Sequence, residues 1–138
     1  MPLPGRASVA IAFMVAVGSR YETESESGIS HFVEHMVFKG GKRYPTARDV
    51  SEAIEGVGGV LNAATDREAT VFWTRVPTAK LGLAVSVLSD MLLSPALDEG
   101  EVAKERQVVI EELRMYQDNP QDYVQIAFDE LDHKNPAK

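Results

Sequence analysis

The segment GISHFVEHMVFKGG, residues 28–41, places His31 and His35 four positions apart with Glu34 between them. Two neutral imidazoles one helical turn apart can reach a single cation, and a carboxylate beside them can hold and deprotonate a water. The chain holds three histidines and no cysteine, so a metal here has only imidazole and carboxylate ligands to draw on. One histidine by itself reads best as a satisfied core side chain. Two with a glutamate between them, in a chain so poor in histidine, point to a metal site. The order is the reverse of His-Glu-x-x-His, and both orders belong to zinc-dependent hydrolysis.

The segment contains good helix formers and no proline, so it reads as a helix. At about 100° per residue, His31, Glu34, His35 and Phe38 share one face, and Phe32, Val33, Met36 and Val37 occupy the remainder. A surface helix would show the opposite pattern, so the polar stripe is expected to face a cavity. Catalytic zinc takes three protein ligands, and a third must come from Asp or Glu, because His133 lies near the chain end and reads as exposed. The stretch EVAKERQVVIEELRMY offers candidates. With Val109 at the centre of its apolar face, Val102, Leu113 and Tyr116 fall close by, Glu105 and Glu112 lie at the margin, and Glu111 falls opposite. Helical phase therefore selects Glu112 over Glu111. Two glutamates seven positions apart on an apolar stripe are costly to bury without a cation, although both can also turn out to water.

The elements that must position these side chains follow an α+β order. VAIAFMVAV, residues 9–17, reads as a buried strand and lacks the flanks of a signal peptide. After the polar loop and the His/Glu helix, Thr46 with Asp49 opens a second helix, with Val50, Ile54 and Val57 inward and Gly58-Gly59 as its stop. VLNAAT and ATVFWTRV are two strands joined by a short hairpin. Pro77 is expected to open a third helix, with Leu81, Ala84, Val85, Leu88, Met91 and Leu92 inward, closed at Ser94-Pro95. Asp98 and Glu101 form a capping box for a long helix to about Gln117, and residues 119–132 read as a last, shorter one.

A length of 138 residues suits one domain. Hydrophobic content of 44% and charged content of 25% are ordinary for a globular protein, and no apolar run reaches the length of a membrane span. A net charge of -7 disfavours nucleic acid as a partner. No membrane association is expected either, and a cytoplasmic location is.

With these motifs in hand, the sequence resembles the pitrilysin family of metallopeptidases, M16, which includes insulin-degrading enzyme and the mitochondrial processing peptidase. VGSRYE, GISHFVEHMVFKG, GGVLNAATDREATVFWTRV, LSDMLLSP and ERQVVIEELRMYQDNP follow one another in the family's order and spacing. The resemblance implies an α+β metallohydrolase fold, a mainly antiparallel sheet packed against several helices. It implies zinc as cofactor, held by His31, His35 and Glu112, with Glu34 as the base activating zinc-bound water and Glu105 orienting the site from behind. It places Phe38 in the pocket for the residue after the scissile bond. Asn62 and Ala63 fall on an edge strand that pairs with an extended peptide substrate. Family members also carry an additional strand before the Ser8–Val17 region, further strands after the equivalent of Asp132, and a second related domain. The expectation is therefore one partial domain over residues 1–138, the zinc-bearing part of a metalloendopeptidase. Such a part would be poorly active without the remaining domain or a partner subunit, and homo-oligomers are possible. A non-catalytic subunit that binds peptides or scaffolds an assembly is the alternative; such subunits lack the intact ligand set.

Overall fold

The computed structural model describes residues 7–120 together with Val124. The chain divides into two compact bodies, Met1–Val102 and Ala103–Lys138. In the first, three antiparallel strands, β1 (Ser8–Val15), β2 (Val60–Thr65) and β3 (Thr70–Pro77), form a sheet in the order β1-β3-β2. Three helices accompany it: α1 (Ile29–Val37), α2 (Ala47–Glu55) and α3 (Leu81–Leu93). A fourth, α4 (Glu99–Asp118), begins in the first body and forms most of what is described of the second. No helix among the described residues is long and apolar enough to cross a membrane.

The sheet is built on β3, whose side chains alternate as the two-residue period of a strand requires. Thr70, Phe72, Thr74 and Val76 are buried, whereas Trp73 and Arg75 are exposed. Phe72 and Val76 join Val37, Val50, Ile54, Ala84, Val87, Leu88 and Met91 in one core beneath the sheet. Each large apolar side chain in it contributes roughly 1.5–3 kcal/mol. Two threonines share this face because their hydroxyls find acceptors: Thr74 donates to the Val60 carbonyl at 2.7 Å and Thr70 to the Val17 carbonyl at 3.1 Å. The hairpin between β2 and β3 closes through Asp66 N–H to the Ala69 carbonyl, 2.9 Å, and its register sets Thr65 opposite Thr70 and Asn62 opposite Trp73.

The expected elements appear with four adjustments. β1, expected to be a buried strand, has no buried residue among the described ones, with Phe13 37% and Met14 74% exposed. Residues 16 and 17 leave β1, since the backbone turns there to bring Val17 N–H onto the Val15 carbonyl at 2.8 Å. Pro77 ends β3 and does not open the third helix. A single 3-10 turn, Thr78–Lys80, intervenes before α3 starts at Leu81. The inward face of α3 is also rotated from the expected one. Val87 is buried, while Leu81 and Val85 are exposed at 43% and 41%. This helix is apolar almost all round, so hydrophobic periodicity alone could not fix its phase. The Thr46–Asp49 capping box of α2 forms as expected, with Asp49 N–H donating to Thr46 Oγ1 and Thr46 N–H to Asp49 Oδ2. Asp98 caps α4 through Gly100 and Glu101 N–H. The helix expected over 119–132, and His133, lie almost wholly outside the described residues.

One buried carboxylate was invisible to the sequence patterns. Asp90, on α3, is 7% exposed and accepts the backbone N–H groups of Arg43 and Tyr44 at 2.9 and 3.1 Å. It thereby ties down the turn that follows α1, and Gly41 leaves it room: a Cβ there would sit 2.5 Å from Asp90 Oδ2. Replacing Asp90 with Ala leaves two backbone donors without the acceptor they have in the fold, at about 1–3 kcal/mol each. Urea denaturation should show Asp90→Ala destabilised by at least about 2 kcal/mol. A loss under about 0.5 kcal/mol would mean that the turn holds itself.

Candidate metal centre

Helix α1 carries the chemistry, and its phase comes from its apolar side. Met36 and Val37 are 1% and 4% exposed, and Val37 belongs to the core under the sheet. At a 3.6-residue period, burying these two leaves His31, Glu34 and His35 on another face, where all three are half-buried. Val33 is 44% exposed and Ile29 47%, so the apolar remainder of the helix is not uniformly covered. Phe38 ends the helix and packs against the core, its ring centroid 6.4 Å from that of Phe72.

The two imidazoles meet edge to face, with Nε2 of His35 3.1 Å from Nε2 of His31. Zn–N bonds of about 2.0–2.1 Å at a tetrahedral angle set two coordinated nitrogens about 3.3 Å apart. The pair is thus held at the separation that one shared ion requires, and its neutral nitrogen donors suit zinc. Glu34 is anchored from the sheet: the Thr65 hydroxyl, at the end of β2, donates to its Oε2. An apolar cleft of about 580 Å³ opens beside it, between β1, α1 and the end of α3. Glu34 is the one ionisable group lining it among the described residues.

The start of α1 is fixed by a residue that sequence reasoning overlooked. Gly28 occupies the N-cap with φ 87°, a left-handed conformation that favours glycine. The carboxylate of Glu22 then accepts Gly28 N–H at 2.7 Å and Ser30 N–H at 2.8 Å, one to each oxygen. Burial disfavours its charge, but hydrogen bonds from the Ser30 backbone and side chain and from Gly28, with the nearby His31, outweigh that and hold its pKa below the usual glutamate value. A carboxylate six residues ahead of the cap belongs to no short capping motif, so only the folded loop reveals it. That loop is itself pinned at Gly18, where a Cβ would lie 2.2 Å from the Asp66 carbonyl oxygen. Arg20 reinforces it through its N–H to the Arg67 carbonyl and its guanidinium to Glu68.

The substrate-side expectations fall on β2, which is an edge of the sheet among the described residues. Asn62 is exposed there, and its Oδ1 accepts the Ala63 N–H at 2.8 Å. In the second body, burial along α4 follows the phase read from the sequence for the three glutamates. Glu105 is 5% exposed, Glu112 is half-buried with its Oε1 accepting the Tyr116 hydroxyl at 3.1 Å, and Glu111 is exposed and paired with Arg114. Leu113 and Tyr116, expected inward, are 49% and 42% exposed.

Fold and site together define an α+β domain with a His-x-x-Glu-His helix held against an antiparallel sheet. The chain belongs to the family described as Insulinase (Peptidase family M16), whose model it matches over residues 3–134. It is 44% identical over 121 residues to a protein of Rickettsia bellii named an uncharacterized zinc protease, covering 88% of this chain and 29% of that one. It is 44% identical over 117 residues to the uncharacterized zinc protease YmxG of Bacillus subtilis, covering 85% and 28%. The mitochondrial-processing peptidase subunit beta of Bos taurus is 38% identical over 120 residues, covering 87% and 24%. The crystal structure of a protease from Helicobacter pylori superposes with a TM-score of 0.77 at 32% identity, over 82% of this chain and 27% of that one. The chain thus spans less than a third of the length of each of these relatives.

Loss of the Glu22 cap should loosen the helix that presents the histidines. Glu22→Ala is expected to cost about 1–2 kcal/mol at pH 7. Because the folded-state pKa is lowered, the contribution is complete above the unfolded value of about 4.3 and disappears as pH falls through the folded one. The gap in urea midpoint between wild type and Glu22→Ala should accordingly close in acid. A gap that widens as pH falls would overturn the assignment.

Proposed function

We propose that the protein is a zinc-dependent endopeptidase in which His31, His35 and Glu112 hold the metal and Glu34 is the general base. The observation that carries this reading is the pair of Nε2 atoms 3.1 Å apart on the same helix as a carboxylate anchored by Thr65. Zinc, when bound, supplies a Lewis acid that polarises the scissile carbonyl and acidifies a water. Glu34 takes the proton from the attacking water and passes it to the departing amine nitrogen, a task suited to a half-buried carboxylate with one anchored oxygen. Glu105, buried on α4, orients the site from behind. An extended peptide adds to the β2 edge by main-chain pairing, near Asn62 and Ala63, with Phe38 against the side chain following the scissile bond.

Support for zinc comes from the donor set and from relatives named zinc proteases. Support for Glu112 over Glu111 comes from helical phase and from Glu111 being exposed and paired with Arg114. The wall facing the edge strand is supplied by the rest of the enzyme or by a partner subunit, since accurate placement of the carbonyl decides the rate and a misplacement of about 1 Å costs roughly a hundredfold.

Purified with zinc, the protein should hold about one ion per molecule. Glu34→Gln should keep the ion while turnover falls about 10²–10⁴-fold. Glu112→Gln should lower metal affinity, and Glu111→Gln should leave both unchanged. Metal analysis with chelator competition and a quenched-fluorescence peptide assay read these outcomes. Zinc retention in a His31→Ala, His35→Ala double variant would refute the metal assignment. For the 138-residue chain alone, zinc-loaded, slow or undetectable cleavage is expected, rising when the remaining segments of the enzyme are added in trans. Fast chelator-sensitive cleavage by the chain alone would show that no second wall is required.

A further inference from the structure

The side chain of Glu34, on α1, is anchored from a different layer of the fold, the sheet. The Thr65 hydroxyl donates to Oε2, and the structure gives Oε1 no hydrogen bond among the described residues. Behind Thr65 stands Thr70, its partner in the β2–β3 register, with the two hydroxyl oxygens 3.2 Å apart. Thr70 is 2% exposed, and its own proton goes to the Val17 carbonyl at 3.1 Å. A hydroxyl has one proton and two lone pairs. The single proton of Thr65 goes to the Glu34 carboxylate, a better acceptor than the hydroxyl oxygen of Thr70, and the oxygen of Thr70 limits where Thr65 can turn.

We propose that Thr65 is a positioning residue for the base, with Thr70 and the Val17 carbonyl as its backing. This rests on the reading of Glu34 as the general base. By holding Oε2, Thr65 selects one rotamer of a side chain that otherwise has three free torsions, and it assigns the two oxygens different tasks. Oε2 is tied to the sheet; Oε1 is presented to the water. Glutamate is among the side chains with the most rotamer freedom to lose, so anchoring it beforehand removes that cost from the reaction itself. A purely structural role explains the pair less well. Thr65 ends an edge strand and is only half-buried, and a strand end needs no bond to a helix carboxylate to complete its ladder.

The test compares Thr65→Val, which keeps the branched shape and strand preference without the hydroxyl, with Thr65→Ser, which keeps the hydroxyl. Both are made in the complete zinc-loaded enzyme. The expected result for Thr65→Val is a kcat lowered about 10- to 100-fold, with KM, zinc affinity by chelator competition and thermal midpoint near those of wild type. Thr65→Ser should recover most of the lost kcat. The ¹³Cδ resonance of Glu34 should move in Thr65→Val and return towards its wild-type position in Thr65→Ser. An unchanged kcat in Thr65→Val, an equal fall in both variants, or a Glu34 resonance indifferent to Thr65 would each overturn the proposal. If wild type itself shows no chelator-sensitive hydrolysis, the peptidase reading fails and the catalytic role of Thr65 with it. Wild-type activity with an indifferent Thr65→Val removes the Thr65 proposal alone.

Discussion

The site depends on the rotational phase of α1 about its own axis. A helix places neighbouring residues about 100° apart, so a slip of one position would drive His35 or Glu34 towards the place that Met36 and Val37 hold in the core. Three independent constraints prevent it. Apolar burial of Met36 and Val37 sets the inward side. The Glu22 carboxylate, taking two N–H groups at the first turn, sets the start. Asp90, bonded to the turn after the helix, sets where the chain must go next. Only the first is hydrophobic. The other two are charged groups closing off backbone donors, and each carries a direction that burial alone lacks.

Close approach and backbone conformation also explain two glycines ahead of the helix. Gly28 adopts a left-handed conformation at the N-cap, where its N–H reaches Glu22. Gly18 lets the preceding loop lie directly on the hairpin backbone. The loop between β1 and α1 is therefore held at both ends. Its anchoring to the hairpin ties the position of Glu22 to the strand pair that carries Thr65, so the helix and the sheet side of the site share one frame.

Much of this was legible in the sequence because the signals were periodic or local. The alternation in TVFWTRVP, the Thr46–Asp49 box and the His-x-x-Glu-His spacing each state their structure within a few residues. The preference for Glu112 over Glu111 came from helical phase, and of the two glutamates Glu111 is the exposed one. The phase of α3 was not legible, since apolar residues on nearly every side leave no moment to read. Neither was any polar contact between residues far apart in the chain. Asp90 lies 46 positions from Tyr44, and Thr65 lies 31 from Glu34. Their partners are chosen by topology, and a single Asp or Thr in a strand or helix carries no mark of a remote bond.

The choice of threonine as the anchor for Glu34 has an electrostatic reason. On the proposed reading Glu34 is a base beside a divalent cation, and such a base must be steered without being neutralised. Lys or Arg in place of Thr65 would orient the carboxylate more strongly, yet a full positive charge stabilises the ionised form and makes it a poorer proton acceptor. It would also repel the metal. A hydroxyl supplies one directional bond and no net charge, and it can turn from donor to acceptor as its partner gains a proton. Placing that hydroxyl at a strand end, backed by the buried Thr70, gives it the rigidity a surface serine would lack. On that reading the sheet contributes orientation and adds no charge of its own beside Glu34.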